Sequence, residues 1–236
     1  MDPATIQALT FDCYGTLVDW ESGILTVLRP WARREGLAVD DDALLHAFAE
    51  AEPRCEEASP RSIYPEILRA VQGRIAEAFG RTADPAAADV LAKSVGEWPP
   101  FADTAQALRR LAARFRLAVI SNIDRASFAR TNQLLGVRFD AVITAEEVGV
   151  YKPDPRMFQR AFEVLDSIGI PREGIVHVAQ SLYHDHAPAR ALGLRTVWVD
   201  RRHGRAGQGA TPPAPAGVTP DLTVTTLEEL ANRLGA

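Results

Sequence analysis

Four small sets of polar residues, widely separated in the chain, are of types that together support nucleophilic catalysis. The first is Asp12, which follows the apolar run Ile6 to Phe11 and precedes Tyr14, Gly15 and Thr16. The second is the pair Ser121-Asn122, directly after Leu117-Ala118-Val119-Ile120. The third is Lys152, and the fourth runs from Gln180 to Asp185, just past Ile175-Val176-His177-Val178. A carboxylate becomes a useful nucleophile when a neighbouring cation keeps it ionised and donors hold the anionic part of its substrate. Lys152 is the candidate cation for Asp12, and Ser121 and Asn122 are the candidate donors.

For these groups to meet, the elements before them must be strands of one parallel sheet. Short apolar runs alternate with helical patterns from Asp103 onward, and Asp140 to Thr144 and Thr196 to Val199 add two more strands. That alternation predicts an α/β fold, a Rossmann-like, doubly wound parallel sheet covered on both faces. Carboxyl ends of parallel strands share one edge, so all four sets can converge there. Gly15 lets the backbone turn sharply behind Asp12.

Helix boundaries are written in the same way. Asp103 with Gln106, and Thr226 with Glu229, have capping-box spacing. Asp154 reads as an N-cap with Pro155 in the first turn. Residues 19–98 show helix after helix and no strand. Ile63, Ile67, Val71, Ile75 and Phe79 form one apolar stripe, and Ala43, Leu44, Ala47, Phe48 and Ala51 suggest a helix ending before Pro53. The expected organisation is a core made of residues 1–18 and 99–236, with a helical cap inserted at 19–98. His203 to Pro220 is rich in Gly and Pro, and reads as either a flexible flap or a packed irregular loop.

Composition narrows the function classes. The net charge of −5 opposes a general attraction to nucleic acid or anionic membrane. No apolar run approaches the roughly 18 residues of a membrane span, and the N-terminus lacks a signal-peptide pattern. Two cysteines, Cys13 and Cys55, form no disulfide framework. A cytoplasmic enzyme with reduced thiols is the expectation; a homodimer is left open.

Asp12-x-x-Gly15-Thr16-Leu17-x-Asp19, then Ser121-Asn122, Lys152-Pro153-Asp154-Pro155 and the acidic loop to Asp185 resemble the haloacid dehalogenase (HAD) superfamily. The motifs come in that family's order, with the cap in its usual place. Most members are magnesium-dependent phosphatases with Asp-x-Asp in the first motif. Here the second position is Tyr14, and Ala179-Gln180-Ser181 stands where Gly-Asp-Ser is usual. Losing a carboxylate weakens a hard-cation site, and losing the acid removes the proton donor for an alkoxide leaving group. Both departures match the 2-haloacid dehalogenase type II branch, which resembles this chain in Asp-x-Tyr-Gly-Thr-Leu and uses neither metal nor cofactor. That resemblance implies attack by Asp12 on the carbon next to the carboxylate of a small molecule, giving an aspartyl ester. Water then cleaves the ester, with Lys152 and Asp185 stabilising and activating it. Tyr14, Thr16, Ser121, Asn122, Gln180 and His184 are the implied substrate-binding residues.

Other positions depart from that branch: Gln180 and Leu182 replace a serine and an asparagine, and Phe158 replaces a tyrosine. The cap arginine that contacts halide there has only Arg54 and Arg61 as nearby substitutes. A closer likeness is to azetidine-2-carboxylate hydrolase, through Thr10-Phe11-Asp12-Cys13-Tyr14-Gly15-Thr16-Leu17, Ser121 to Arg125 and Ser181 to His186. It implies a ring nitrogen as leaving group. A HAD phosphatase and a non-catalytic HAD-like binding protein are the competing readings.

Several residues have plainer readings. Asp19 is a helix cap, Cys13 and Trp20, Trp31 and Trp98 are packing residues, and His177 is a core histidine. His184-Asp185-His186 has metal-ligand types, but adjacent residues in such a loop usually diverge. Arg201 and Arg202 are either carboxylate ligands or a surface pair.

Overall fold

β1 (Ala8–Phe11) lies inside a six-stranded sheet of order β3-β2-β1-β4-β5-β6, parallel throughout. Its neighbours are β2 (Arg116–Ser121) and β4 (Ile175–Ala179), and Phe11 faces Val119 on one side and Val178 on the other. β3 (Ala141–Thr144) continues the sheet beyond β2; β5 (Arg195–Val199) and β6 (Leu222–Val224) continue it beyond β4. The computed structural model describes residues 1–236 except 206, 208 and 214. All of β1 is buried, which is why its residues, Thr10 apart, are apolar rather than alternating. Pairing extends one residue further, from the Asp12 N–H to the Val178 carbonyl at 3.1 Å. Asp12 therefore leaves the sheet abreast of the ends of β2 and β4.

A tight loop follows. The Cys13 carbonyl accepts from the N–H groups of Leu17 (2.7 Å) and Val18 (3.0 Å), and Gly15 closes the turn at φ +92°. A side chain at position 15 would have to adopt that left-handed backbone with its Cβ only 3.0 Å from Trp20 Nε1.

Four helices follow this loop directly: α1 (Trp20–Arg34), α2 (Asp41–Ala58), α3 (Tyr64–Ala78) and α4 (Pro85–Ser94). Asp19, Asp40 and Asp84 cap α1, α2 and α4 by accepting backbone N–H groups. Trp31, Phe48, Ile67, Leu68, Val71 and Ile75 form the buried side of this bundle. α2 does not stop at Pro53 as its apolar stripe suggests, but runs through it to Ala58. An interior proline removes one intrahelical bond; in the turn beyond it Cys55 is buried in the core.

The remaining helices are α5 (Thr104–Ala112), α6 (Arg125–Leu135), α7 (Ala145–Val148), α8 (Arg156–Asp166), α9 (Ala187–Ala191) and α10 (Leu227–Arg233). With the other helices they cover both sides of the sheet. The capping box expected at Asp103 is not formed, because that carboxylate is taken by Arg201 and by the Leu227 N–H of α10. Thr226 does cap α10, while Glu229 reaches back to the N–H of Thr225 rather than that of Thr226. Asp154 caps α8 from one residue further out, through the Arg156 N–H at 2.9 Å. The Gly/Pro-rich stretch is in part packed: Ala210 and Thr211 are buried, and the Ala210 N–H donates to Glu21 of α1. Its residues 206, 208 and 214 lie outside the described residues. Among the described residues, no helix is long and apolar enough to cross a membrane.

Candidate active site

The strand ends bring Asp12, Lys152 and Asp185 into one buried array. Lys152 Nζ donates to Asp12 Oδ1 (2.8 Å), to Asp185 Oδ1 (2.7 Å) and to the Ile120 carbonyl (2.9 Å). Its side chain is 2% exposed, so the three acceptors replace the whole hydration of the ammonium. Burial works to lower the lysine, but the two carboxylates outweigh it and raise it above its ordinary value. Thr16 Oγ1 donates to the other oxygen of Asp12 (2.7 Å) and accepts from the Gln180 N–H (2.9 Å), tying the first loop to the fourth. Burial, with Asp185 adding to it, holds the Asp12 carboxyl above its ordinary value; the Lys152 ammonium and the Thr16 hydroxyl offset part of that by favouring the ionised form.

Asp185 sits on a single wide turn, Leu182–His186, capped by Ser181 accepting from the His184 N–H. Such π-type turns rotate side chains relative to a regular helix and recur at functional sites. The turn sends its three side chains to different places. Asp185 Oδ1 meets Lys152 and His177, His186 Nε2 meets the Ala179 carbonyl (3.0 Å), and His184 Nε2 has no partner among the described residues. Burial opposes ionisation of Asp185, but Lys152 and the His177 ring outweigh it and hold the carboxyl well below the usual range. His184 and His186 are both pulled down to about 4 by burial.

A small cavity opens above this array. Its lining includes Asp12, Tyr14, Ser121, Asn122, Lys152, Gln180, His184 and Asp185, eight of the nine residues expected from the sequence. Thr16, the ninth, lies behind Asp12. Ser121 Oγ, His184 Nε2 and Asp185 Oδ2, on residues that line the cavity, are buried without a hydrogen-bond partner among the described residues.

Two expectations change. Asn122 is not a free anion donor: its Oδ1 accepts from the Lys152 N–H (2.6 Å), and its Nδ2 donates to the Lys152 carbonyl (3.1 Å) and to Glu56. His177 is more than a core histidine, since it bonds Thr10 Oγ1 (2.9 Å) through Nδ1 and Asp185 Oδ1 (3.0 Å) through Nε2. Phe158 packs edge-on against its ring.

The cap side of the cavity was not anticipated. Arg54 pairs with Glu50 at the surface, and Arg61 is exposed; neither is among the lining residues. Glu52, Glu56 and Tyr64 line it instead, with Trp20 and with Thr211 from the Gly/Pro-rich stretch. The available signal was in α2, where polar Glu52 and Glu56 continue the apolar stripe of Phe48. Burial lifts Glu52 to about 7, and burial with the neighbouring Glu52 raises Glu56 well above its ordinary value. Arg201 and Arg202 face elsewhere, on Asp103 and Glu21.

Tyr14 donates no acid function: its hydroxyl is engaged with Thr131 (2.7 Å), and burial raises it well above an ordinary phenol. Nor do these groups fit Mg²⁺. A dication of that kind needs several oxygen ligands with carboxylates among them, whereas Asp12 and Asp185 already share the Lys152 ammonium, and positions 14 and 180 offer a phenol and an amide.

The haloacid dehalogenase-like hydrolase profile matches residues 6–193, most of the chain and every group of the array. The chain belongs to that family. Among this hydrolase's relatives is an (S)-2-haloacid dehalogenase of Pseudomonas putida, 30% identical over 208 residues that cover 84% of this chain and 86% of the relative. That places the hydrolase with the 2-haloacid dehalogenase type. Its fold is that of a defluorinating L-2-haloacid dehalogenase (TM-score 0.78, 23% identity, 98% and 96% of the two chains). It is equally that of the Xanthobacter autotrophicus L-2-haloacid dehalogenase with chloropropionic acid covalently bound (TM-score 0.77, 21% identity, 98% and 99%).

Proposed function

We propose that this hydrolase displaces a leaving group from the carbon next to a carboxylate, without a metal, through an ester on Asp12. The observation that carries the reading is the Asp12–Lys152–Asp185 array beneath a cavity with three unpartnered polar atoms. In the first step an Asp12 oxygen bonds to carbon as the leaving group departs with its electron pair, and Ser121 helps hold the substrate carboxylate. In the second, water adds to the aspartyl carbonyl carbon. Asp185 Oδ2 is the acceptor that orients this water, a role suited to a carboxylate that stays ionised. Cleavage of the acyl–oxygen bond releases the 2-hydroxy acid and restores Asp12. Tyr14, Gln180 and His184 shape the cavity. Residues 19–98 act as the cap over a core of 1–18 and 99–236, and the P. putida relative supports the same substrate class.

The test is a single turnover in ¹⁸O-water. The product oxygen is expected to come from Asp12, with label retained in the protein, and Asp12→Asn is expected to abolish turnover while EDTA leaves it intact. Label appearing directly in the product would exclude the ester; magnesium-dependent release of phosphate from phosphate esters would replace this reading with a phosphatase.

A further inference from the structure

We infer that Thr211, carried to the cavity by the Gly/Pro-rich stretch, is a positioning residue for Gln180: it holds the Gln180 amide with its NH2 group toward the substrate carboxylate. This rests on the reading that Asp12 attacks beside a carboxylate, and it adds a residue outside the four strand-end sets that governs binding.

Gln180 is tied down at every polar atom but one. Its N–H donates to Thr16 Oγ1 (2.9 Å), its carbonyl accepts from Trp198 Nε1 (2.9 Å), and its Oε1 accepts from Thr211 Oγ1 (3.1 Å). Nε2 has no hydrogen-bond partner among the described residues, and Gln180 lines the cavity. A primary amide whose oxygen is taken by a hydroxyl presents its two N–H donors in the other direction. The surroundings favour the same orientation. Asp12 and Asp185 line the cavity too, and carboxylates attract the NH2 end of an amide and repel its oxygen.

The register of the sheet sets where those donors stand. Phe11 pairs with Val119 of β2 and with Val178 of β4, so Ser121 and Gln180 each come two positions later, on the two flanks of the chain leaving β1. Their backbones are two strand spacings apart, roughly 10 Å, a gap that the long glutamine side chain shortens. Ser121 Oγ is buried without a partner among the described residues and belongs to the same cavity. A hydroxyl from one flank and an amide from the other supply donors for the two oxygens of one carboxylate, directly above the nucleophile.

The Gly/Pro-rich stretch is anchored where it delivers Thr211. Ala210 and Thr211 are buried, and the Ala210 N–H donates to Glu21 Oε1 (3.0 Å) while Arg202 pairs with the other oxygen of Glu21. Gly209 has φ +74°, and a Cβ there would collide with Glu21 Oε1. Glycine at 209 is what lets the glutamate approach this backbone. The anchor is one residue from Thr211, so it fixes the place of the hydroxyl that orients Gln180.

The test uses the full chain carrying Asp12→Asn, so that 2-chloropropionate binds without turnover and is titrated calorimetrically. Gln180→Leu in that background is expected to weaken binding about tenfold, the loss of a hydrogen bond to a charged group. Thr211→Val, which keeps the shape and removes the hydroxyl, should weaken it about fivefold, and Thr211→Ser should restore it. The deciding measurement is the double variant: Thr211→Val added to Gln180→Leu should cost nothing further, because the threonine acts only through the amide. A threonine that merely closes the cavity would cost the same in both backgrounds. Thr211→Ala is measured alongside, and carries the test if the valine variant fails to fold. Unchanged binding without the hydroxyl, additive losses, no rescue by serine, or no binding of 2-chloropropionate to the Asp12→Asn chain would each overturn the inference. Failure of the ¹⁸O experiment alongside intact coupling would instead overturn the ester chemistry and leave the role of Thr211 standing.

Discussion

The side chain of Asn122 clamps the backbone of Lys152 at both ends of the residue. It accepts the Lys152 N–H at 2.6 Å and donates to the Lys152 carbonyl at 3.1 Å. A lysine side chain has four rotatable bonds, and its ammonium is placed only as well as its backbone is. Asn122 therefore reaches Asp12 only through Lys152, and on the proposed mechanism it is a positioning residue.

Asn122→Ala should leave the Lys152 N–H buried without its acceptor and let the ammonium drift from Asp12 and Asp185. We expect a loss of about 1–3 kcal/mol in stability and a fall in kcat of about 10²-fold, with KM little changed. Urea denaturation and steady-state kinetics check the two parts separately.

His177→Phe should remove the ring that supports Asp185 while preserving the packing volume between Phe158 and the sheet. The lowered carboxyl of Asp185 contributes stability above its unfolded value of about 4, and that contribution is lost as pH falls toward the folded value. Without His177 the carboxyl rises and less of this contribution exists. The variant should be less stable by about 1–3 kcal/mol near neutral pH, and the gap should narrow below about pH 4. A gap independent of pH would show that His177 acts by packing alone.

Glu52→Gln should change the pH dependence of stability in the opposite sense. With its folded value at about 7, Glu52 holds a proton in the folded chain that the unfolded chain gives up above about 4.5, so it destabilises progressively as pH rises through that window. The glutamine variant keeps an acceptor for Tyr64 and has no such loss. Relative to the parent it should gain stability from about pH 5 to pH 8, by on the order of 3 kcal/mol at most. His184 and His186, at about 4, add an opposite slope between about 4 and 6.5 as they resist protonation when folded, but they do so in both proteins and cancel in the difference. Thermal melts across pH measure it.

Arg201→Ala separates a structural arginine from a substrate ligand. Arg201 grips both oxygens of Asp103, donates to the Thr16 carbonyl and lies over Phe101, and Asp103 in turn receives the N–H that opens α10. Breaking this largely buried pair should cost about 3 kcal/mol, with KM unaffected. A rise in KM with unchanged stability would assign Arg201 to substrate binding.

The order of strands and helices, the turn at Gly15 and the polar groups at the strand ends were all legible in the sequence, because each is set by neighbours a few residues away. A buried strand needs its own apolar run, and Asp19, Asp40 and Asp84 cap helices that begin beside them. Since parallel strands end on one edge, convergence of Asp12, Lys152 and Asp185 follows from those local rules plus the sheet. Three contributions did not follow. Whether Asn122 faces the substrate or Lys152, and whether His177 reaches Asp185, depend on side-chain directions between segments 8 to 30 residues apart. Which face of α2 covers the cavity depends on how that helix packs, and the presence of Pro53 suggested that the helix ended before reaching it. Asp12 and the sheet edge that presents it are readable from the chain's local pattern; that the cavity opposite is acidic comes from helix packing, which turns Glu52 and Glu56, not Arg54 or Arg61, toward Asp12.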